Sequence, residues 1–106
     1  MITQLLANCA VSDLERAEQW YVRLFGRAPD ARPMPGLLEW HLAQTFGIQL
    51  WTDPDRAGKS TVVLGESELD AAADRLTRVG IDHDGPQPGG GARILQIVDP
   101  DGNRVC

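Results

Sequence analysis

The sequence contains one kind of segment twice: SDLERAEQWYVRLFG at residues 12–26 and SELDAAADRLTRVG at residues 67–80. The two starts are 55 positions apart and the two ends 54, about half of the 106 residues. Each copy begins with a serine and an acid three residues later, carries apolar residues at helical spacing, and ends at Gly26 or Gly80. Such a hydroxyl N-cap, acid and terminal glycine are typical of a capped helix. We therefore predict a duplicated unit built around one helix.

Strand-like runs surround both helices. Apolar and polar residues alternate over residues 2–9, 36–43 and 47–52 in the first half. In the second half, strands are predicted at 60–65 and 92–98. Prolines break a short strand predicted at 27–34, a poor strand is predicted at 81–84, and glycines and prolines predict a loop at 85–91.

These patterns predict a single α+β domain over residues 1–106. A first βαβββ unit occupies 1–52, a linker of turn-forming residues occupies 53–59, and a second βαβββ unit occupies 60–106. Each helix covers one face of its sheet. The two curved mixed sheets then place their open faces around a cavity, a common arrangement for a ligand site.

Composition excludes several classes of protein. The net charge is −5 and the chain has no cluster of lysine and arginine, so nucleic acid is not an expected partner. No stretch approaches the roughly 18 apolar residues of a membrane span, and no signal sequence is evident, so we expect no membrane partner and a cytoplasmic location. Cys9 and Cys106 are too few for a disulfide scaffold and lack zinc-type spacing.

Three segments in order resemble the vicinal oxygen chelate superfamily, which includes glyoxalase I, ring-cleaving dioxygenases, fosfomycin-resistance enzymes and bleomycin-binding proteins. Residues 12–21 with Leu24-Phe25-Gly26 are similar to the first helix of that family, and residues 69–80 to the second. Asp99-Pro100-Asp101-Gly102-Asn103 is similar to the signature hairpin before its last strand. The resemblance covers essentially the whole chain and implies the paired βαβββ fold and a homodimer.

Enzymes of this superfamily mostly hold a divalent metal with His and Glu side chains from four strand positions. The resemblance places those positions at Leu6, Gln49, Thr61 and Cys106. Leucine has no donor atom, glutamine and threonine are weak neutral donors, and only the cysteine is a good ligand, as a thiolate. The usual metal site is therefore expected to be absent, and no cofactor is predicted.

Other polar and aromatic residues are candidates for a ligand site. Trp51 shares the Gln49 side of its strand, where it either stacks on a planar ligand or fills a void. Asn8 and Gln49 offer amides that orient a ligand. Glu39 and His41 lie two residues apart on one strand face. They form a polar anchor for a ligand, an acid–base pair or two ligands of an unusual metal site, or else they belong to an outer strand face that contacts only solvent. The predicted pocket residues, none of them catalytic, are Leu6, Asn8, Glu39, His41, Gln49, Trp51, Thr61 and Cys106.

The resemblance, without the metal ligands, implies a protein of the bleomycin-resistance branch. Such a protein binds, and so sequesters, a small, planar or aromatic organic compound without a metal ion. An alternative is a glyoxalase- or dioxygenase-type lyase or oxidoreductase with a non-standard metal site around Glu39, His41 and Cys106. A third is a regulatory or structural dimer whose cavity is filled by its own side chains.

Overall fold

The computed structural model describes all residues, 1–106. Two helices and nine strands alternate along the chain in this order: β1 (Leu5–Val11), α1 (Leu14–Phe25), β2 (Ala31–Met34), β3 (Leu37–Trp40), β4 (Phe46–Thr52), β5 (Thr61–Val62), α2 (Leu69–Arg78), β6 (Gln87–Gly89), β7 (Ala92–Ile94), β8 (Ile97–Val98) and β9 (Arg104–Val105). Neither helix has the length and apolar character needed to cross a bilayer.

Strand pairing confirms the α+β fold and the duplication that the two helical segments predict. In the first sheet the strand order is β1-β4-β3-β2, and in the second it is β5-β9-β8, with β6 and β7 paired as a separate hairpin. In each half the first strand pairs in parallel with the last: β1 with β4, and β5 with β9. Since β7 leads into β8, the second half repeats the strand order of the first.

The two helices begin differently from the prediction. Asp13, not Ser12, caps α1: its carboxylate accepts the Arg16 N–H at 3.1 Å. Ser12 is occupied elsewhere, because its N–H and hydroxyl both donate to Asp101 from the far end of the chain. No side chain caps the start of α2. The predicted hydroxyl caps are therefore wrong, whereas the glycine after α1 ends that helix as expected, with φ +73°.

Helix α1 covers one face of the first sheet. The alternation predicted from sequence holds there, because the side chains under α1 are fully buried: Cys9, Val11, Leu38, Trp40, Ile48 and Leu50. Tyr21 and Phe25 of α1 and Trp40 of β3 form an aromatic cluster with ring centroids 5.6–6.0 Å apart. The Trp40 indole N–H donates to the Arg27 carbonyl at 3.0 Å. At about 1.5–3 kcal/mol for each large apolar side chain removed from water, this layer is a main source of stability.

The second half is thinner and differs more from the prediction. The segment 85–91, predicted as a loop, contains β6, which pairs with β7 across a two-residue turn. Gly90 and Gly91 both have positive φ, as a type I′ turn requires, so the glycine pair favours a hairpin. The predicted single strand over 92–98 is interrupted, because β7 pairs with β6 while β8 pairs with β9. The poor strand predicted at 81–84 does not form.

A turn between β8 and β9 holds a buried carboxylate. Asp99 is 4% exposed and Asn103 is fully buried. The Asp99 carboxylate accepts the Tyr21 hydroxyl and the Asn103 side-chain amide, both at 2.8 Å, and the N–H groups of Asp101 and Asn103, both at 2.9 Å. Burial raises the pKa of the Tyr21 hydroxyl, which keeps it protonated as a donor. Burial likewise raises the pKa of the Cys9 thiol, which lies 3.3 Å from the Tyr21 oxygen.

The same turn joins the two halves of the chain. The Asn103 side-chain amide donates to the Ala10 carbonyl of β1 at 2.7 Å and accepts the Ser60 N–H at 2.9 Å. The Ser60 hydroxyl in turn accepts the Ala10 N–H at 3.2 Å. Gly58 of the segment between the sheets passes so close that a Cβ there would lie 2.3 Å from the Asp101 carbonyl oxygen. Only glycine fits this approach, which also needs φ +85°.

Replacing Asn103 by alanine tests the importance of this junction. Asn103→Ala leaves the Ala10 carbonyl and the Ser60 N–H without their partner, so we expect the free energy of unfolding to fall by about 2–3 kcal/mol. The measurement is urea denaturation followed by circular dichroism. Asn8→Ala is the matched control, because Asn8 is exposed, and it should change stability by less than about 0.5 kcal/mol. Equal losses in the two variants would contradict the assignment.

Candidate functional site

The face of the first sheet opposite α1 has no helix on it. We call this surface the open face. Its side chains come from alternate positions of β1, β3 and β4 and, apart from the buried Ala10, are half-buried or exposed. They are Leu6, Asn8, Leu37, Glu39, Gln49 and Trp51, with His41 just beyond the end of β3.

Four of the predicted site residues form a continuous hydrogen-bonded row across the open face. Strand register places Gln49 directly between Asn8 on one side and Glu39 on the other. The Asn8 amide donates to Gln49 Oε1 at 3.2 Å, and Gln49 Nε2 donates to Glu39 Oε2 at 2.7 Å. His41 Nε2 lies 2.9 Å from Glu39 Oε1. We call Asn8, Gln49, Glu39 and His41 the polar row.

The chemistry of Glu39 fixes the direction of every bond in the row. An ionised carboxylate only accepts hydrogen bonds, so Gln49 presents its NH₂ group and His41 its Nε2–H to it. The Gln49 carbonyl is then left for the Asn8 NH₂ group. The Asn8 carbonyl oxygen stands at the end of the row, as an acceptor that the row itself does not use.

Glu39 carries the negative charge of the row. Its side chain is 13% exposed. The hydrogen bond from His41, and after it the one from Gln49, hold the pKa of Glu39 below its ordinary value of 4.5. The carboxylate is therefore ionised at neutral pH and gives the open face an anionic centre.

The backbone holds His41 in position. The His41 N–H donates to Asp30 Oδ2 at 2.6 Å, and the same oxygen accepts Arg27 Nη2 at 2.7 Å. The hydrogen bond from His41 and the neighbouring Arg27 lower the pKa of Asp30. No sequence signal pointed to Asp30, because its role depends on a contact across the β2–β3 region.

Apolar side chains flank the polar row. Trp51 lies on the open face and is half-buried. Its register partner on the neighbouring strand β3 is Leu37. Unlike Trp20 and Trp40, Trp51 stacks against no other aromatic ring of the chain. Leu6 lies opposite Gly47, where an added Cβ would come 2.3 Å from the Trp40 carbonyl oxygen. Leu37 was not among the predicted site residues, since its place beside Trp51 depends on the β3–β4 register.

The structure does not bring Thr61 and Cys106 to this row. Thr61 lies on β5, opposite Arg104 in the second sheet, and is exposed. Cys106 follows β9 and lines an apolar pocket beneath α2. The grouping of Cys106 with Glu39 and His41, one of the expectations above, therefore has no geometric support.

The residues present do not fit the divalent metal that the resemblance implies for many relatives. Of the four implied ligand positions, Leu6 has no donor atom, and both polar atoms of Gln49 are engaged by Asn8 and Glu39. Thr61 and Cys106 belong to the other sheet. Nowhere in the chain do three His, Cys, Asp or Glu side chains converge as ligands. A site of this donor set cannot hold zinc, iron or manganese in their usual coordination.

The lowered pKa of Glu39 predicts a pH dependence of stability. Its folded-state pKa is below 4.5, so its contribution is fully present above pH 4.5 and is lost as pH falls through the folded-state value. Urea denaturation of wild type and Glu39→Gln should give unfolding free energies whose difference is constant near neutral pH and changes below pH 4.5, in favour of the variant. Glu15→Gln, at an exposed position of α1, is the control, and its difference in unfolding free energy from wild type should show no such change. A difference between wild type and Glu39→Gln that stays constant below pH 4.5 would contradict the hydrogen bonds assigned to Glu39.

Several solved structures are similar to this chain. No family model and no curated protein matches it. A glyoxalase/bleomycin resistance protein from Catenulispora acidiphila DSM 44928 superposes with a TM-score of 0.87 at 26% identity, covering 96% of this chain and 93% of that one. TnmS3, an antibiotic-binding protein from Streptomyces sp. CB03234, gives 0.78 at 28% identity, covering 96% and 90%.

A third similar structure is a bleomycin-binding protein in complex with bleomycin. It superposes with a TM-score of 0.81 at 20% identity, covering 96% of this chain and 93% of that one, and shows likeness of fold. The repeated strand order, the two helices and these likenesses show that the chain has the fold of the glyoxalase and bleomycin-resistance proteins, which is consistent with the vicinal oxygen chelate superfamily.

Proposed function

We propose that the chain binds a small, planar or aromatic organic compound on the open face of its first sheet, without a metal ion. The observation that carries the proposal is the polar row beside an unstacked tryptophan, on a sheet face that no helix of the chain covers. This combination of an apolar platform with a few convergent polar groups is typical of small-molecule sites.

Each part of the open face has a role in this proposal. The Trp51 ring offers a flat apolar surface on which a planar compound stacks. The Asn8 carbonyl oxygen and the Glu39 carboxylate accept hydrogen bonds from the ligand and fix its orientation. The remaining bonds within the row hold these groups before the ligand arrives, which reduces the entropy lost on binding.

Sequestration suits this set of residues better than bond-making chemistry. A protein that protects a cell by holding a toxic compound needs affinity and selectivity only. The structurally similar TnmS3 is described as antibiotic-binding, and another similar structure holds bleomycin. Antibiotic resistance by sequestration is therefore the biological role that we propose.

We also propose that the site is completed in a homodimer. In one chain the open face is exposed to solvent at Asn8. The register partners Leu5 and Phe46, at the starts of β1 and β4 and on the opposite side of the sheet, are 73% and 51% exposed. Exposed apolar side chains favour burial against a second copy. Both cysteines are free thiols, which suits the cytoplasmic location that we propose.

Substitution of Trp51 tests the binding proposal. With bleomycin as the first probe and a panel of planar aromatic compounds after it, Trp51→Ala should weaken binding by about 1–3 kcal/mol, the scale of a buried aromatic anchor. The measurement is isothermal titration calorimetry. Trp40→Phe is the control: it lies on the face under α1, so it should lower stability and leave affinity unchanged.

Three outcomes separate the alternatives. Binding that Trp51→Ala weakens supports the proposal. Binding that Trp51→Ala leaves unchanged rejects Trp51 as the platform. Absence of binding by every compound, with unchanged Trp51 fluorescence, favours a structural or regulatory dimer with a filled cavity.

One observation favours a second candidate function. His41 and Glu39 are hydrogen-bonded at 2.9 Å, the arrangement of an acid–base pair or of two neighbouring metal ligands. A glyoxalase- or dioxygenase-type enzyme would use this pair. Metal analysis of the purified wild type and His41→Ala decides: we expect no stoichiometric metal in either, whereas zinc, nickel, manganese or iron that is lost in His41→Ala would establish the enzyme.

A further inference from the structure

A cavity lies away from the open face, between α2 and the second sheet. It has a volume of about 150 Å³ and opens to solvent on one side. Leu24 and Phe25 at the end of α1 form one wall, Leu69 and Leu76 of α2 another, and Leu95 and Ile97 the sheet side. We call this cavity the α2 pocket. None of the residues of the polar row lines it.

The α2 pocket exists because the two halves of the duplication fill the same layer differently. Under α1 the space between helix and sheet is occupied by the rings of Tyr21, Phe25 and Trp40. Helix α2 contributes the small side chains of Ala72 and Ala73 to the corresponding layer. Small side chains cannot span the distance between a helix and a sheet, so apolar surface is left without packing partners.

Polar groups at the rim are already bonded to the backbone. Arg75 donates from Nη1 to the Arg23 carbonyl at 3.0 Å and from Nη2 to the Leu24 carbonyl. Glu66 accepts the Glu68 N–H at 3.1 Å. No buried side-chain nitrogen or oxygen in the chain lacks a hydrogen-bond partner. The buried nitrogen and oxygen atoms around the α2 pocket therefore offer no unpaired partner to a charged ligand, and ten of its 12 lining residues are hydrophobic.

We propose that the α2 pocket binds an uncharged, apolar small molecule of the size of a single aromatic ring. An apolar cavity of about 150 Å³ with aliphatic and aromatic walls takes up benzene or xenon. The pocket is too small for a peptide helix, whose diameter is about 10–12 Å. This site is separate from the open face and does not depend on the function proposed for that face.

Filling the pocket from within tests the proposal. Benzene is the probe, and binding is followed by methyl chemical shifts in two-dimensional NMR and by the midpoint of thermal unfolding. In wild type we expect saturable shifts at Leu24, Leu76 and Ile97 and a midpoint that rises with benzene concentration. Ala72→Phe places a ring in the pocket, so benzene affinity should fall at least tenfold.

Ala71→Phe is the matched control. It makes the same substitution one position earlier, on the exposed side of α2, and should bind benzene like wild type. If Ala72→Phe does not fold by circular dichroism, Ala72→Leu replaces it, with the same direction of effect. The proposal is overturned by shifts that do not saturate or by undiminished affinity when position 72 is enlarged.

Discussion

The buried Asp99 carboxylate is the interaction on which the rest of the molecule depends. Burying a carboxylate costs several kcal/mol unless hydrogen bonds replace its lost hydration. Here four donors converge on it, from Tyr21 on α1 and from the turn that contains Asp101 and Asn103. Charge-assisted hydrogen bonds of about 1.5–3 kcal/mol each offset that cost. The turn is thereby held against the helix of the other half, although 78 residues separate Tyr21 from Asp99.

This junction also positions the candidate site. Asn103 and Ser60 bind both backbone groups of Ala10, which fixes the end of β1. Asn8 lies two residues earlier on the same strand, where it is the register partner of Gln49. A shift of one residue would turn Asn8 toward α1 and break the polar row. Strand β1 thus takes part in both the junction and the open face.

The two faces of the first sheet have different roles. The face under α1 is filled by aromatic and aliphatic side chains and supplies the core. The open face carries the row of amides, carboxylate and imidazole, whose members satisfy one another while leaving Trp51 unstacked. The second half repeats the topology with smaller side chains in α2, so the duplication preserves strand order and not packing.

Local sequence patterns were enough to predict the two helices, the duplicated order of elements and the side of each strand on which Trp51, Gln49, Asn8 and Glu39 lie. Periodicity carries that information, because it depends only on local backbone geometry. The residue type at position 6 also excludes a metal ligand there, because leucine has no donor atom. The features that these patterns did not predict depend on partners distant in the chain. Ser12 donates to Asp101 and does not cap α1, and residues 92–98 divide between two strand pairings. Cys106 lines the α2 pocket, and Asp30 accepts the His41 N–H. A polar group forms hydrogen bonds with the partners that lie near it in the folded chain. The spacing of residues along the sequence does not predict which distant partners those are.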